Sequence, residues 1–185
     1  MKRLFDFLCA VILLPFFLIL IVPCCIAILL IDGRPILFRS QRLGKNKEIF
    51  TIYKLRTMKP STPLIPTNTK NVSAYVTGLG KLLRLTSLDE LPQIFNILNG
   101  SMTFIGPRPC LRSELELISA RENKQIFSQI PGITGLAQVR GRDINSIRNK
   151  VRYESFYLRK ESFLFNLSII LSTVKVVFKF SDISH

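Results

Sequence analysis

Residues 7–31 read FLCAVILLPFFLILIVPCCIAILLI, a run of 25 positions without a charged side chain. As an α-helix the run would extend about 37 Å, which exceeds the ~30 Å of a bilayer's hydrocarbon core. A single spanning helix and a signal peptide are the simplest interpretations. The run is too long for a signal peptide, and no small-x-small cleavage site follows it. The segment therefore predicts an N-terminal membrane anchor.

Basic side chains flank this run on both sides. They are Lys2, Arg3, Arg34, Arg39, Arg42, Lys45 and Lys47. Basic flanks favour the cytoplasmic face of a membrane, and a straight crossing would satisfy only one of the two flanks. A helix that enters the membrane, bends and returns would satisfy both, although a spanning helix remains the alternative.

Two prolines inside the run, Pro15 and Pro23, favour such a bend. Each removes a backbone donor and clashes with the preceding turn, so each is a predicted kink. We therefore expect residues 1–32 to form a re-entrant membrane helix-break-helix. Residues 33–185 would then form a polar domain on the cytoplasmic face of that membrane.

The rest of the chain predicts a mostly helical α+β domain that contains one small β-hairpin. Residues 34–38 form a turn into a short strand. Residues 48–55 alternate and are rich in β-branched and aromatic side chains, which is typical of a second strand. Gly44, Lys45 and Asn46 between them favour a hairpin turn.

Further helices are predicted by amphipathic patterns and by helix start and stop signals at residues 79–85, 87–98, 113–129 and 145–160. Residues 106–109 are expected to be extended or a turn, and residues 131–135 a loop, because of their Pro and Gly content. Residues 163–180 are apolar apart from Lys175 and Lys179. This last segment predicts an interfacial helix that lies along the membrane.

The charge of the chain implies an anionic partner. Lys and Arg number 26 against 12 Asp and Glu, which gives a net charge of +14 over 185 residues. Nucleic acid, an anionic membrane surface and phosphorylated substrates all fit this charge. The one histidine, His185, makes chemistry with a histidine base improbable. The four cysteines lack zinc-ligand spacing, so a zinc site is not expected.

The sequence Ser87-Leu-Asp89-Glu90-Leu-Pro-Gln93 holds two adjacent acidic residues in this basic chain. A capping box, in which Ser87 caps a helix and Glu90 reaches back, explains the pair without any chemistry. Yet a carboxylate among cations stays ionised and can attack phosphorus as a nucleophile. Its neighbour can hold Mg²⁺, and basic side chains can stabilise the developing charge.

Four separated motifs resemble the bacterial sugar transferase family, the small monotopic phosphoglycosyl transferases. Residues 83–109 carry LRLTSLDELPQ and, after a short spacer, NGSMTFIGPRP. Residues 2–6 resemble the family's N-terminus, residues 50–58 (FTIYKLRTM) its Lys-Phe-Arg-Thr-Met strand, and residues 131–142 (PGITGLAQVRGR) its C-terminal loop. The resemblance covers nearly the whole chain and keeps the motifs in order.

The resemblance implies an enzyme that moves a sugar-1-phosphate from a UDP-sugar to undecaprenyl phosphate. Residues 33–185 would be its catalytic domain, on the cytoplasmic face of the bacterial inner membrane. Asp89 would be the nucleophile that attacks the β-phosphate, expels UMP and carries a covalent aspartyl-phosphosugar. Glu90, with Asp89, would bind Mg²⁺. The remaining matched positions are expected at the substrate, as phosphate contacts, polar motif positions or a rigid turn: Lys54, Arg56, Arg84, Gln93, Pro107, Arg108, Pro109, Gln138 and Arg142.

The family also implies a pathway and partners. Its members initiate exopolysaccharide, O-antigen or glycoprotein glycan assembly, so anionic lipids of the inner membrane and downstream glycosyltransferases are expected partners. The sequence does not decide whether the protein forms a homodimer. Nucleic acid is not expected as a partner. Positions that depart from the family's usual residues are Tyr75, Arg140, Glu154 and Asn166.

Two other classes of function stay open. A membrane-tethered nucleic-acid-binding protein would account for the net charge and for the basic helix at 145–160, but the chain lacks tryptophan and a recognition motif. An inactive scaffold of a glycan assembly complex is the third interpretation, and the intact Asp89-Glu90 pair argues against it.

Overall fold

The computed structural model describes residues 2–62, 72–140 and 146–178. Its architecture is α+β, as the sequence predicts. The helices are α1 (Lys2–Ile31), α2 (Gly78–Leu85), α3 (Ile94–Leu98), α4 (Leu115–Glu122), α5 (Leu136–Val139), α6 (Ile147–Lys160) and α7 (Phe163–Phe178). The strands are β1 (Leu37–Leu43), β2 (Ile49–Leu55), β3 (Thr103–Ile105) and β4 (Gly132–Thr134).

The predicted hairpin is confirmed. Strands β1 and β2 pair in antiparallel register from Leu37 opposite Leu55 to Leu43 opposite Ile49. The turn between them is one short helical turn in which Asn46 adopts a φ of 53°. Asparagine tolerates this left-handed conformation better than most residues. The hairpin places the side chains of β2 against the segment that carries the paired acids.

A second sheet was not predicted from the sequence. Strands β3 and β4 pair in parallel, with Thr103 opposite Gly132 and Ile105 opposite Thr134. The segment expected to be a loop, 131–135, therefore contains a strand. Three-residue strands are too short to show an alternating pattern, and parallel pairing depends on a distant crossover. Here the crossover carries α4.

Two helical predictions need correction in their detail. The helix expected at 87–98 begins as a 3₁₀ segment, Leu88–Gln93, before α3 starts. Pro92 lies in that first segment and has no N–H to donate. The helix expected at 113–129 is also shorter, because α4 ends at Glu122 and Gln125 then takes a left-handed φ of 55°.

Helix α1 is continuous from Lys2 to Ile31, with Pro15 and Pro23 inside it. No non-helical residue separates two halves, so the expected break appears at most as a bend within one helix. Among the described residues it is the one helix long and apolar enough to cross a membrane. Its path through a membrane stays a prediction.

One face of α1 packs on the rest of the domain along most of its length. Near its start, Ala10 is buried with Ile94 and Met102. Toward its end, Ile28 is buried with Leu55 and Leu83. One face of the apolar helix is therefore part of the domain's own core, while most of its large apolar side chains are exposed.

Both ends of α1 are also fixed to the same domain. At its start, the Lys2 ammonium donates to the backbone carbonyl of Ile105 at 2.9 Å. Beyond its end, the Arg56 guanidinium donates to the carbonyls of Asp32 and Gly33 at 2.6 and 2.8 Å. The two ends of the apolar helix thus meet one polar domain.

Helices α1 and α7 touch near their starts and carry much of the exposed apolar surface. Phe5 of α1 and Phe163 of α7 stack edge to face with ring centroids 5.9 Å apart. Leu30 and Leu164 are 78% and 76% exposed. Exposure of so much apolar surface to water is unfavourable. The predicted helices at 145–160 and 163–180 correspond to α6 and α7 within the described residues.

Candidate active site

The paired acids lie on the 3₁₀ segment between α2 and α3. Ser87, which precedes them, adopts a left-handed φ of 57° and makes no capping hydrogen bond with its side chain. The capping-box interpretation of Ser87 and Glu90 is therefore wrong. Both acids lie in the first turn of the 3₁₀ segment.

Glu90 forms ion pairs with two cations that are distant in sequence. Lys54 of β2 donates to its Oε1 at 2.5 Å, and Arg108 donates to the same oxygen at 3.2 Å. Burial alone would raise the pKa of Glu90, but Lys54 and Arg108 outweigh it and lower the pKa to about 2. Glu90 is therefore a permanent anion at neutral pH.

Asp89 has a different environment. Its residue is only 8% exposed. Burial, followed by the neighbouring Glu90 charge, raises the pKa of Asp89 to about 6, although Lys54, Arg84 and Arg108 act in the opposite direction. At neutral pH most Asp89 is ionised but poorly solvated, and no described hydrogen bond ends on its carboxylate. Such a carboxylate is a stronger nucleophile than a solvated one.

Arg84 approaches Asp89 from helix α2. Its Nε donates to the Thr57 hydroxyl at 2.9 Å. The helix starts at Gly78 because the Thr77 hydroxyl caps it by accepting from the Gly80 N–H at 2.9 Å. The predicted position of Arg84 at the site is thus supported by a side chain, Thr57, that the sequence patterns did not single out.

Asn96 is a second residue that sequence reasoning missed. It is 1% exposed on α3. Its amide donates to the Thr51 carbonyl at 2.7 Å and accepts from the Tyr53 N–H at 3.2 Å. These bonds fix strand β2, and so Lys54, against the acidic segment. A polar residue within an otherwise apolar helix was the available signal for it.

Arg108 is held on a turn between the two sheets. The Gly132 N–H donates to the Pro107 carbonyl at 2.9 Å. A Cβ on Gly132 would lie 2.1 Å from the Gly106 nitrogen, so only glycine allows the backbones to approach this closely. The two Gly- and Pro-rich motifs therefore form one contact that presents Arg108 to Glu90. Pro109 continues the same turn and lines a small cleft with Pro107.

The other predicted substrate contacts that the structure describes form no hydrogen bond with the acidic pair. Arg56 is 5% exposed and gives its Nη atoms to backbone carbonyls after α1. Gln93 is 2% exposed, and its Nε2 has no hydrogen-bond partner among the described residues. Gln138 donates to the Ile133 carbonyl at 2.9 Å. Arg142 lies outside the described residues. Substrate contact by these four residues stays a prediction.

An apolar cavity of about 1260 Å³ lies between α1 and α7 and reaches this site. Its lining includes Phe5, Leu13 and Phe17 from α1, Phe163, Leu167 and Ile170 from α7, and Gln138 from α5. Glu90 and Arg108 belong to the same lining. An anionic group with a long apolar tail matches this combination of walls and charges.

A divalent cation fits the acidic pair only in part. Among the described residues, no group of three or more His, Cys, Asp or Glu side chains could hold a metal. The two hydrogen bonds on Glu90 both end on Oε1, so Oε2 and the Asp89 carboxylate are available as ligands. Mg²⁺ commonly takes one or two carboxylates and completes its shell with water and substrate phosphates.

These residues combine a buried carboxylate with several fixed cations beside an apolar cavity. A phosphate diester or diphosphate could be held by the cations while the carboxylate attacks phosphorus.

Comparison with known proteins identifies the family. The bacterial sugar transferase family matches residues 1–180 of this chain. The chain is 35% identical over 181 residues to the uncharacterized sugar transferase EpsL of Bacillus subtilis, which covers 96% of this chain and 87% of that protein. It is 36% identical over 182 residues to the UDP-glucose:undecaprenyl-phosphate glucose-1-phosphate transferase of Caulobacter vibrioides. That match covers 94% of this chain and 68% of the Caulobacter protein.

A third relative is longer than this chain. The undecaprenyl-phosphate galactose phosphotransferase of Salmonella typhimurium is 31% identical over 201 residues, with 97% of this chain and 40% of that protein covered. The chain belongs to the bacterial sugar transferase family. It is therefore an enzyme, a transferase of substituted phosphate groups, as its motifs predict.

Proposed function

We propose that this enzyme transfers a sugar-1-phosphate from a UDP-sugar to undecaprenyl phosphate and releases UMP. The observation that carries the proposal is the apolar cavity between α1 and α7, whose wall includes Glu90 and Arg108. A polyprenyl tail fits the apolar part, and its phosphate fits beside the cations. The names of the Caulobacter and Salmonella relatives support the same acceptor.

The reaction has two displacements at one phosphorus atom. The Asp89 carboxylate attacks the β-phosphorus of the UDP-sugar, and the bond from that phosphorus to the bridging oxygen breaks. UMP leaves with the electron pair, and Asp89 carries an acyl phosphate bonded to the sugar. A phosphate oxygen of undecaprenyl phosphate then attacks the same phosphorus and releases the Asp89 carboxylate. The product is an undecaprenyl diphosphate sugar.

The cations have separate tasks in this scheme. Lys54 and Arg108 already neutralise Glu90, and Arg84 lies close enough to Asp89 to lower its pKa. These groups would hold the diphosphate and stabilise charge on the leaving UMP. Asp89 and Glu90 would hold Mg²⁺, which supplies Lewis-acid stabilisation of the phosphate oxygens when bound.

The site would work at the cytoplasmic face of the inner membrane. Both ends of α1 bind the same polar domain, and basic residues flank the apolar run on both sides. Such an arrangement favours a helix that dips into the membrane and returns. The exposed apolar residues of α7 favour a position along the membrane surface. The lipid product would then start glycan assembly by downstream glycosyltransferases.

The proposal is tested by UMP release in nanodiscs with undecaprenyl phosphate and a panel of UDP-sugars. We expect UMP release with at least one sugar, loss of release in Asp89→Asn, and reduced release with altered Mg²⁺ dependence in Glu90→Gln. Glu116→Gln, an exposed carboxylate on α4, is the matched control and should be unaffected. Full activity in Asp89→Asn would contradict the nucleophile assignment. Salt-sensitive nucleic-acid binding without UMP release would favour the other class of function.

A further inference from the structure

A buried ion pair lies behind the active site. Arg121 of α4 and Glu154 of α6 are 2% and 3% exposed. The Arg121 Nε and Nη2 donate to the two Glu154 oxygens at 2.9 and 2.5 Å. Burying two charges is expensive, and an apolar pair of similar volume often gives equal or greater stability. Stability alone therefore does not explain this pair.

The pair has a third partner that belongs to the active-site turn. The Arg121 Nη2 also donates to the backbone carbonyl of Arg108 at 2.9 Å. The side chain of Arg108, in turn, donates to Glu90 at 3.2 Å. A continuous chain of contacts therefore runs from Glu154 through Arg121 and the Arg108 backbone to Glu90.

The turn that carries Arg108 is fixed at carbonyls on both sides of this contact. The Pro107 carbonyl accepts from the Gly132 N–H at 2.9 Å, and the Cys110 carbonyl accepts from the Leu43 N–H at 3.0 Å. The Arg108 carbonyl lies between them, and it accepts from the Arg121 side chain rather than from a strand. Only this middle anchor depends on the buried charges.

We propose that Arg121 and Glu154 are positioning residues that hold the Arg108 guanidinium at Glu90. Glu154 orients the planar guanidinium of Arg121, and Arg121 fixes the backbone from which the Arg108 side chain extends. The inference deepens the proposed function, because Arg108 there stabilises charge on phosphate. It also explains why an acidic residue on α6, 64 positions from Glu90 in the chain, bears on the site.

The test replaces both charges at once, because removing one partner would leave an unpaired buried charge. In Arg121→Met/Glu154→Leu we expect a folded protein with UMP release lowered about 10- to 100-fold, since small displacements of a catalytic group cost about this much. The matched control is Lys47→Met/Glu122→Leu. It removes an exposed ion pair, 53% and 43% exposed, at the next position of α4, and should keep its activity.

A double-mutant cycle distinguishes positioning from general support. In an Arg108→Ala background the Arg121/Glu154 replacement should cause no further loss, because its effect passes through Arg108. A multiplicative further loss would overturn the proposal, and so would full activity of the folded double variant. The acid limb of the pH profile should shift upward in the double variant as it does in Arg108→Ala, because Arg108 helps to lower the pKa of Asp89.

Arg121→Lys is a second variant in case the apolar pair does not fold. Its ammonium compensates Glu154 but lacks the planar fork that reaches two partners at once. We expect about a 10-fold loss in UMP release, again absent in the Arg108→Ala background. If the wild-type chain releases no UMP, the proposed function fails rather than the positioning. The positioning role is then tested by the distance from Arg108 to Glu90 in crystal structures of wild type and variant. A longer distance in the variant supports the role, and an unchanged distance overturns the proposal.

Discussion

Replacing Asp89 with asparagine should stabilise the protein while it abolishes catalysis. Asp89 is buried, and its pKa of about 6 lies above the ordinary value of 3.8. The folded state therefore binds the Asp89 proton more tightly than the unfolded state does. The contribution of Asp89 to the free energy of unfolding is highest below its pKa in the unfolded state. This contribution is lost as the pH rises through its pKa in the folded state. Asparagine keeps the shape and removes this dependence.

The size of the effect follows from the pKa difference. The rise from 3.8 to about 6 corresponds to about 3 kcal/mol at pH well above 6, since one pKa unit is about 1.4 kcal/mol. At pH 4 the destabilisation of wild type by Asp89 falls to about 0.5 kcal/mol. In a domain of this size about 3 kcal/mol raises Tm by roughly 6–12 °C.

Thermal unfolding of wild type and Asp89→Asn in one detergent, followed from pH 4 to pH 8, measures this directly. The variant should be more stable at pH 8, and its advantage should shrink toward pH 4. Glu116→Gln, an exposed carboxylate on α4, should follow wild type throughout. A variant that is no more stable than wild type at pH 8 would contradict the raised pKa of Asp89, and so would an advantage that does not change with pH.

Three more outcomes are expected. The rate of UMP release should fall on the acid side with an apparent pKa near 6, because protonation of Asp89 removes the nucleophile; an unchanged rate at pH 5 would contradict this. Arg56→Met should lower the free energy of unfolding by about 2–4 kcal/mol, because the carbonyls after α1 lose a charged donor. The exposed control Arg39→Met should change it little. A stable Arg56→Met variant with only a raised KM would instead favour substrate contact by Arg56. Tags at residues 1 and 185 should both be accessible from the cytoplasmic side, and tags on opposite sides would indicate a spanning helix.

The sequence predicted the elements that depend on local patterns. The hairpin of β1 and β2 followed from alternation and from the Gly44-Lys45-Asn46 turn, and α1 followed from an uncharged run. The β3–β4 sheet could not be predicted in this way, because each strand has three residues and the pairing joins segments far apart in the chain. Local signals do not encode such a pairing.

The site was predicted in part for the same reason. The acids and the cations Lys54, Arg84 and Arg108 were identified from motifs, and the structure brings them together. The capping box was wrong because Ser87 turns left-handed instead of capping. Whether a basic residue faces substrate or a backbone carbonyl, as Arg56 does, depends on tertiary contacts.

The buried supports were beyond the sequence patterns. Asn96 is bonded to Thr51, which is 45 residues away in the chain, and Arg121 is bonded to Glu154, which is 33 residues away. Arg and Glu are common on helix surfaces, so only burial in the folded structure reveals the Arg121–Glu154 pair.

The covalent phosphosugar on Asp89 is the decisive feature of the proposed reaction. Its most direct measurement is the intact mass of the protein after incubation with a UDP-sugar and Mg²⁺ in the absence of undecaprenyl phosphate, followed by peptide mapping. We expect one added sugar phosphate on Asp89, no addition in Asp89→Asn, and loss of the label when undecaprenyl phosphate is supplied. An unmodified protein that releases UMP only when the acceptor is present would contradict it.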